Sequence, residues 1–211
     1  IDNEINVVKK NLKGMAVKVC LCFPDTYEIG MSHLGLRILY DLINKQKDCA
    51  AERVFSPWVD MEERLKTNHI PLFSLESKAA VRDFDILGFS LQYELAYTNV
   101  LNILHLSGIP LRASERRKQH PLVIAGGSCC LNPEPMAEFI DCFIIGEAEE
   151  VILEVIEIYK QHKLRGGIER ATLLKTLSLI EGVYIPSLYQ VEEKTYERTA
   201  LDPKAPLVIS K

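Results

Sequence analysis

Apolar and polar positions along this chain change repeatedly between the period of a strand and the period of a helix. Residues 16–23 (AVKVCLCF) are almost continuously apolar and stop at Pro24 and Asp25, which predicts a buried strand. Within residues 32–45, apolar side chains recur at helical spacing, at Leu34, Ile38, Leu39 and Leu42. This spacing predicts a helix directly after the first strand, with Ser32 as its N-cap.

The same change of period predicts the remaining elements. Short apolar runs predict strands at residues 52–55, 85–90, 122–125 and 142–145, with a minor edge strand at residues 71–75. Helices are predicted at residues 58–67 with Met61 and Leu65 inward, at residues 94–106 with Leu95 inward, and at residues 147–161. Apolar strands that alternate with helices form parallel sheets covered on both sides. The predicted fold class is therefore α/β, with a doubly wound, mostly parallel sheet of five main strands.

The pattern changes after Gly166 and Gly167. A short helix near residues 173–179 is followed by the segment GVYIPS and by a polar end that contains proline. We therefore predict one domain over residues 1–165 and a connector to a further domain over residues 166–211. The chain begins without Met, which suggests that it is a fragment of a longer protein.

Composition excludes several classes of protein. With 47% hydrophobic and 26% charged residues, the chain is typical of a folded globular domain rather than a disordered one. The net charge of -4 and a single short basic run, Arg116 to Lys118, argue against a dedicated nucleic-acid binder. No apolar run approaches the length of a membrane span, so no membrane partner is expected.

The six cysteines are placed as reduced thiols would be. Cys20 and Cys22 are alternate residues of one predicted strand, and Cys129 and Cys130 are adjacent, where a disulfide would be strained. This usage predicts a reducing, cytoplasmic location. No C-x-x-C or H-E-x-x-H motif and no Cys/His cluster at zinc spacing is present, so we expect no metal site on this chain alone.

A ligand is expected at the loops that follow the strands. In an open parallel sheet, ligands bind beyond the carboxyl ends of the strands. These loops read PDTYEIGMSH, SLQYE, GGSCCLNPEP and GEAEE, and three of them contain glycine, which lets backbone approach a ligand closely. No G-x-G-x-x-G or phosphate-binding G-x-x-x-x-G-K-[ST] motif follows any strand, and no Ser/His/Asp triad can be assembled.

Each feature of these loops also has a purely structural interpretation. The pair Gly126 and Gly127 would serve equally well as a turn at the end of a strand. The carboxylates from Glu147 to Glu150 would be favoured at the start of a helix by its dipole. A lone His33 without a carboxylate or cysteine partner is more often a structural residue than a metal ligand.

Long runs of the chain resemble one protein family. They include CFPDTYEIGMSHLGLRILYDLIN, ERVFSPWVDME, IPLFSLES, FDILGFSLQYELAYTNVLNILHLSGIPL, VIAGGSCCLNPEP and IIGEAEEVILE. They are similar to the amino-terminal domain of large, largely uncharacterised radical S-adenosylmethionine proteins. In that family a Rossmann-like, cobalamin-binding-like domain precedes the radical barrel. The resemblance implies the same domain here.

The cobalamin motif of methionine-synthase-type domains is matched only in part. Ser90 matches its serine and Gly126 and Gly127 match its glycine pair, whereas Gln92 replaces a leucine. Around His33 the motif D-x-H-x-x-G is missing, because Met31 stands in place of the aspartate. The resemblance therefore implies cobalamin bound, if at all, without a histidine ligand. S-adenosylmethionine and a 4Fe-4S cluster are expected only in the downstream domain, because C-x-x-x-C-x-x-C is absent here.

These matches and the loops around them give the candidate cofactor-binding residues. They are Asp25, Tyr27, Ser90, Gln92, Tyr93, Gly126, Gly127, Ser128, Gly146 and Glu147. No catalytic residue and no metal ligand is expected on this chain. The resemblance implies an accessory domain that presents a cofactor or a substrate to its own downstream radical barrel, with the substrate of the whole enzyme unknown.

Two alternatives remain open from the sequence. The lost histidine motif favours a degenerate module that binds no cofactor and serves as a docking or substrate-recognition platform. A free-standing enzyme, such as a methyltransferase or a hydrolase, has neither a nucleophile nor a nucleotide motif to support it. The retained serine and glycine pair favour the cofactor-binding interpretation over both.

Overall fold

A six-stranded, mostly parallel sheet forms the centre of the protein. The computed structural model describes residue 4 and residues 7–167, 169–192, 197–206 and 209. The strands of the sheet lie in the order β2-β1-β3-β4-β5-β6, and a separate hairpin joins β7 to β8. Their bounds are β1 Val17–Phe23, β2 Cys49–Phe55, β3 Ile86–Ser90, β4 Leu122–Gly126, β5 Cys142–Ile144, β6 Val183–Tyr184, β7 Tyr189–Val191 and β8 Arg198–Ala200.

Helices cover both faces of this sheet, as expected for the predicted α/β class. Their bounds are α1 Tyr27–Gly30, α2 Leu34–Lys45, α3 Val59–Thr67, α4 Tyr97–Leu106, α5 Val151–Leu164 and α6 Arg170–Leu177. On one face α3 contacts α4, and Asn102 Nδ2 of α4 donates to Glu62 Oε2 of α3 at 2.7 Å. On the other face α2 and α5 both contact β1. The doubly wound fold is therefore confirmed.

Strand β1 organises the sheet because it is paired on both sides. It runs parallel to β2 in register, from Val17 opposite Cys49 to Phe23 opposite Phe55, and parallel to β3 from Val19 opposite Ile86. Every residue of β1 except Lys18 is buried. Side chains on both faces of this strand are buried, so polar residues do not alternate with apolar ones. This is why its sequence is almost continuously apolar.

The outer edge of β2 is covered by a loop rather than by another strand. Leu75 N donates to Arg53 O at 2.8 Å, and Arg53 N donates to Glu76 Oε2 at 2.8 Å. The prediction of a minor strand at residues 71–75 is wrong, since this stretch makes a single bridge, between Phe73 and Ala80. A side-chain carboxylate takes the place of a backbone carbonyl, so the loop protects the edge without forming a ladder.

The opposite edge carries a sixth strand where five main strands were predicted. Strand β6 pairs antiparallel with β5, with Phe143 opposite Tyr184 and Ile144 opposite Val183. It comes from residues assigned to the predicted connector, and with two residues it is too short for a period to identify it. The division at residue 165 stays a prediction, although β6 belongs to the same sheet as the strands before it.

Helix α2 is capped by a different residue from the one predicted. Its N-cap is His33 and not Ser32, because His33 Nδ1 accepts a hydrogen bond from Leu36 N at 3.1 Å. Helix α5 begins at Val151, four residues later than the predicted start at 147. Gly146 has a φ of +93°, so the chain first turns after β5.

Two side chains predicted to point inward are exposed. Leu95 is 87% exposed because it lies in a 3-10 turn, Glu94–Ala96, that precedes α4, where helical spacing does not apply. Met61 is 36% exposed, whereas Leu65 of the same helix is buried as predicted.

A buried ion cluster fixes the amino ends of β4 and β5. Asp141 Oδ2 accepts from Arg116 Nη1 at 3.0 Å, from Arg170 Nη2 at 2.5 Å and from Val123 N at 2.8 Å. The side chains of Arg116 and Asp141 are 0% and 1% exposed. Because Arg170 belongs to α6, this cluster joins the predicted connector to the sheet.

Replacing Asp141 with alanine is expected to destabilise the protein strongly. Two guanidinium groups would remain buried without their carboxylate, and breaking a buried ion pair in this way costs about 3–5 kcal/mol. Urea unfolding of Asp141→Ala measures the loss. The control is Glu138→Ala, which breaks an exposed ion pair with Arg112 and should cost about 0–1 kcal/mol. Equal losses in the two variants would contradict a structural role for the cluster.

Candidate functional site

The candidate site is a cavity at the carboxyl ends of the parallel strands. In the sheet, β2 lies on one side of β1, and β3, β4 and β5 follow one another on the other side. The direction of winding therefore reverses between β1 and β3, which is the switch point of the sheet. A cavity of about 220 Å³ lies beside this point, between α2 and the start of α5. Its apolar walls come from Leu21, Leu39, Ile124, Ile144 and Ile152.

Six of the ten predicted site residues line this cavity. They are Ser90, Gln92, Gly126, Gly127, Gly146 and Glu147. Loops after β3, β4 and β5 thus meet at one place, as parallel strands with a common carboxyl edge require. The part of these residues in binding a ligand stays a prediction.

The other four predicted residues lie outside the cavity wall, and three of them join the loops to one another. The Tyr93 hydroxyl donates a hydrogen bond to Asp25 Oδ2, which raises the pKa of Tyr93 to about 12. Ser128 Oγ donates to the backbone oxygen of Gln92 at 2.9 Å. Tyr27 donates to Glu4 Oε2 at 3.2 Å. Asp25, Tyr93 and Ser128 therefore hold the loops after β1, β3 and β4 together.

The two glycines after β4 have different structural roles. Gly127 has a φ of +111°, and a Cβ there would lie 2.5 Å from Leu91 O and 2.7 Å from Gln92 Nε2. A Cβ on Gly126 would come no closer than 3.8 Å, to Ile144 O. Gly127 is therefore required by the turn, whereas Gly126 has no steric need to be glycine and leaves open space in the cavity.

Two further glycines line the cavity and were missed from the sequence. A Cβ on Gly88, in the middle of β3, would make ordinary contacts at 3.5 Å with Ile124 Cγ1 and Leu21 Cδ2. Gly35 lies in the first turn of α2 under the His33 ring. A glycine inside a strand often marks a close approach of a ligand or of another backbone, and this signal was available in the segment DILGFS.

His33 also lines the cavity, although the sequence favoured a structural role for it. Its ring packs against Phe23, with centroids 4.9 Å apart, and burial lowers its pKa. The residue is thus both a helix cap and part of the cavity wall. Glu147 and Glu149 supply the carboxylates of this wall, and no Lys or Arg of the described residues lines it.

A larger cavity, of about 950 Å³, lies near the Asp141 cluster, away from the carboxyl ends of the strands. Its charged groups are paired with one another or with neighbours, as Lys175 is with Asp202 at 3.1 Å and Arg112 is with Glu138. We place the candidate site in the smaller cavity, because it lies at the switch point and is lined by glycines.

The described residues form neither a metal-ligand cluster nor a membrane-spanning helix. Within the described parts of the chain, no three His, Cys, Asp or Glu side chains are grouped so as to hold a metal ion. Burial raises the pKa of Cys20 and of Cys22 well above the usual value for a thiol. No helix among the described residues is long and apolar enough to cross a membrane. A cytoplasmic location stays a prediction.

The fold and the cavity define a doubly wound α/β domain with a crevice at its switch point. Residues 35–186 match the family described as radical SAM proteins, N-terminal, and the chain belongs to that family. It is also 29% identical over 147 residues to an uncharacterized protein of Methanocaldococcus jannaschii. That match covers 67% of this chain and 27% of the other protein.

Solved structures of one enzyme share the fold. The radical S-adenosylmethionine methyltransferase TsrM from Kitasatospora setae, with cobalamin and a 4Fe-4S cluster bound, is 13% identical with a TM-score of 0.50. The match covers 90% of this chain and 29% of that enzyme. A second TsrM structure, with tryptophan and a SAM analog bound, is 14% identical with a TM-score of 0.48 and covers 84% and 29%. The chain thus spans less than a third of the proteins that it matches.

Alanine substitutions should separate the roles of the two glycines. Gly127→Ala places a methyl group 2.5 Å from Leu91 O in a left-handed backbone, and it should lower the free energy of unfolding by about 1 kcal/mol or more. Gly126→Ala should be neutral or stabilising by up to about 1 kcal/mol. Paired urea melts measure both, and a larger loss for Gly126→Ala would show that the assignment is reversed.

Proposed function

We propose that this chain is the accessory domain of a radical S-adenosylmethionine enzyme and binds cobalamin at the candidate cavity. The observation that carries the proposal is the glycine-lined cavity at the switch point of a family member. Residues that follow four parallel strands, β1, β3, β4 and β5, line this one cavity. When bound, cobalamin would supply a cobalt centre able to carry an alkyl group or an electron.

The residues of the cavity fit part of such a ligand. Gly88 and Gly126 leave space that a Cβ would fill, between the apolar side chains of Leu21, Ile124 and Ile144. A narrow apolar slot of this kind suits a flat ring system. Ser90 and Gln92 lie at the same cavity and could hydrogen-bond the polar groups of the ligand.

The amino acids around the cavity also indicate how the cofactor would be held. Met31 stands where the familiar motif has an aspartate, so no carboxylate from that position orients His33. The residues proposed to bind are therefore Ser90, Gln92, Gly126 and Gly146, through hydrogen bonds and close backbone approach. No protein ligand to the cobalt is proposed.

Exposed apolar side chains around the same edge support the accessory role. Each of the loops after β1, β2, β3 and β4 presents at least one, and we name this set the apolar rim: Ile29, Met31, Leu34, Trp58, Val59, Leu95 and Leu131. Contiguous exposed apolar surface on a globular domain commonly marks an interaction site. We propose that the downstream radical domain of the same polypeptide covers the rim and encloses the ligand.

A cobalamin titration tests the cofactor proposal. Hydroxocobalamin at 100 times its dissociation constant should stabilise the wild-type chain by about 2.7 kcal/mol. Gly88→Ala and Gly126→Val should fold but lose this stabilisation, because their side chains fill the slot. The matched control is Gly14→Ala, since a Cβ on Gly14 would have no atom within 4 Å.

The docking-module alternative makes the opposite prediction for this titration. A wild-type chain that shows no stabilisation with any cobalamin form contradicts the cofactor proposal. Docking by the same edge of the sheet then becomes the better account. Stabilisation that survives in both cavity variants would place cobalamin elsewhere on the chain.

Hydroxyl-radical footprinting tests the proposed contact of the rim with the downstream domain. Trp58 and Leu95 are 66% and 87% exposed here, so both should be oxidised readily in the 211-residue chain. In a longer protein that includes the radical domain, their oxidation should fall several-fold. Leu164, which is exposed at the far end of α5, is the control and should react equally in both. Equal oxidation of Trp58 and Leu95 in the two proteins would contradict the contact.

A further inference from the structure

The imidazole of His33 is held in one protonation state by its role as a helix cap. Nδ1 accepts a hydrogen bond from Leu36 N at 3.1 Å, so this nitrogen uses its lone pair and carries no proton. A neutral imidazole has one N–H group, which must then be at Nε2. Burial of the ring lowers the pKa of His33, which favours this neutral form.

The position of the ring is fixed as well. It packs against the ring of Phe23, with centroids 4.9 Å apart and an interplanar angle of 41°. A Cβ on Gly35 would lie 3.1 Å from His33 Cε1, which is closer than most contacts between a Cβ and another heavy atom in proteins. Glycine is unfavourable inside a helix, and here it leaves the room that the ring occupies.

The remaining N–H group has no partner among the residues that the structure describes. Nε2 of His33 makes no hydrogen bond to any of the described residues, and His33 lines the candidate cavity. Glu147 and Glu149 are the charged side chains that share this cavity wall. A donor of fixed orientation therefore adjoins a cavity that has room for a ligand.

We propose that His33 is a hydrogen-bond donor to the ligand of this cavity, through Nε2–H to an oxygen acceptor, and is unavailable as a metal ligand. Metal coordination by Nε2 would need its lone pair, so the proton would have to move to Nδ1. Two N–H groups would then face each other, and the cap on α2 would be lost. The identity of the ligand as cobalamin rests on the proposed function, whereas the state of the ring does not.

The state of the ring is tested without any ligand. In ¹⁵N NMR spectra of the histidine-labelled wild-type chain at neutral pH, the His33 signals should show a protonated Nε2 and a bare Nδ1. The His33→Ser variant assigns these signals by their disappearance. A proton at Nδ1 would overturn the inference, whether or not cobalamin binds.

The donor role is tested with His33→Ser and hydroxocobalamin. Serine is a good N-cap but cannot reach as far as an imidazole, so the helix cap is kept while the donor is lost. We expect the affinity for hydroxocobalamin to fall about tenfold, with the melting temperature nearly unchanged. An unchanged affinity would overturn the donor role.

Electron paramagnetic resonance separates donation from coordination. Bound cob(II)alamin should show no hyperfine splitting from a protein nitrogen, and splitting that disappears in His33→Ser would overturn the inference. A wild-type chain that binds no cobalamin contradicts the proposed function and the ligand half of this inference. The NMR spectra still show which nitrogen of His33 carries the proton. A failure of the proposed function can therefore be distinguished from a failure of the inference about the ring.

Discussion

The parallel pairing of β1 with β2 on one side and β3 on the other is the constraint on which the rest of the structure depends. Because both neighbours run in the same direction, the loops after all three strands emerge at one edge of the sheet. The reversal of winding between β1 and β3 leaves a crevice there that no helix fills. The cavity, the loop contacts around Asp25 and the apolar rim all follow from this arrangement.

The glycines of that crevice serve two different purposes. One allows a backbone conformation that other residues rarely adopt, and the others leave open space. Gly127 is needed because its φ of +111° and the nearby Leu91 O exclude a side chain, which is a requirement of folding. Gly88 and Gly126 have no such requirement, and each leaves a volume that a methyl group would fill. At both positions the fold would tolerate alanine, so the empty space in the crevice comes from the choice of glycine and not from a demand of the backbone.

The sequence predicted the main elements well because the core strands are continuously apolar and the helices are periodic. It failed where local pattern carries no information. Strand β6 has two residues, and the loop over β2 uses the carboxylate of Glu76 in place of a ladder. The exposure of Leu95 was missed because a 3-10 turn has a different period from a helix. The cap at His33 could not be predicted, since histidine is not a favoured N-cap and only the geometry of its ring shows the contact.

The pairing of β6 with β5 has a mechanical consequence for the cavity. Ile145 N donates to Gly182 O at 2.7 Å, directly before Gly146 and Glu147 of the cavity wall. Arg170 anchors the same segment to the sheet through Asp141. The segment that contains α6 and β6 is thus hydrogen-bonded to the loop that borders the crevice. Because β6 and the loop after β5 are hydrogen-bonded neighbours, a displacement of β6 would also displace the backbone that leads into Gly146 and Glu147.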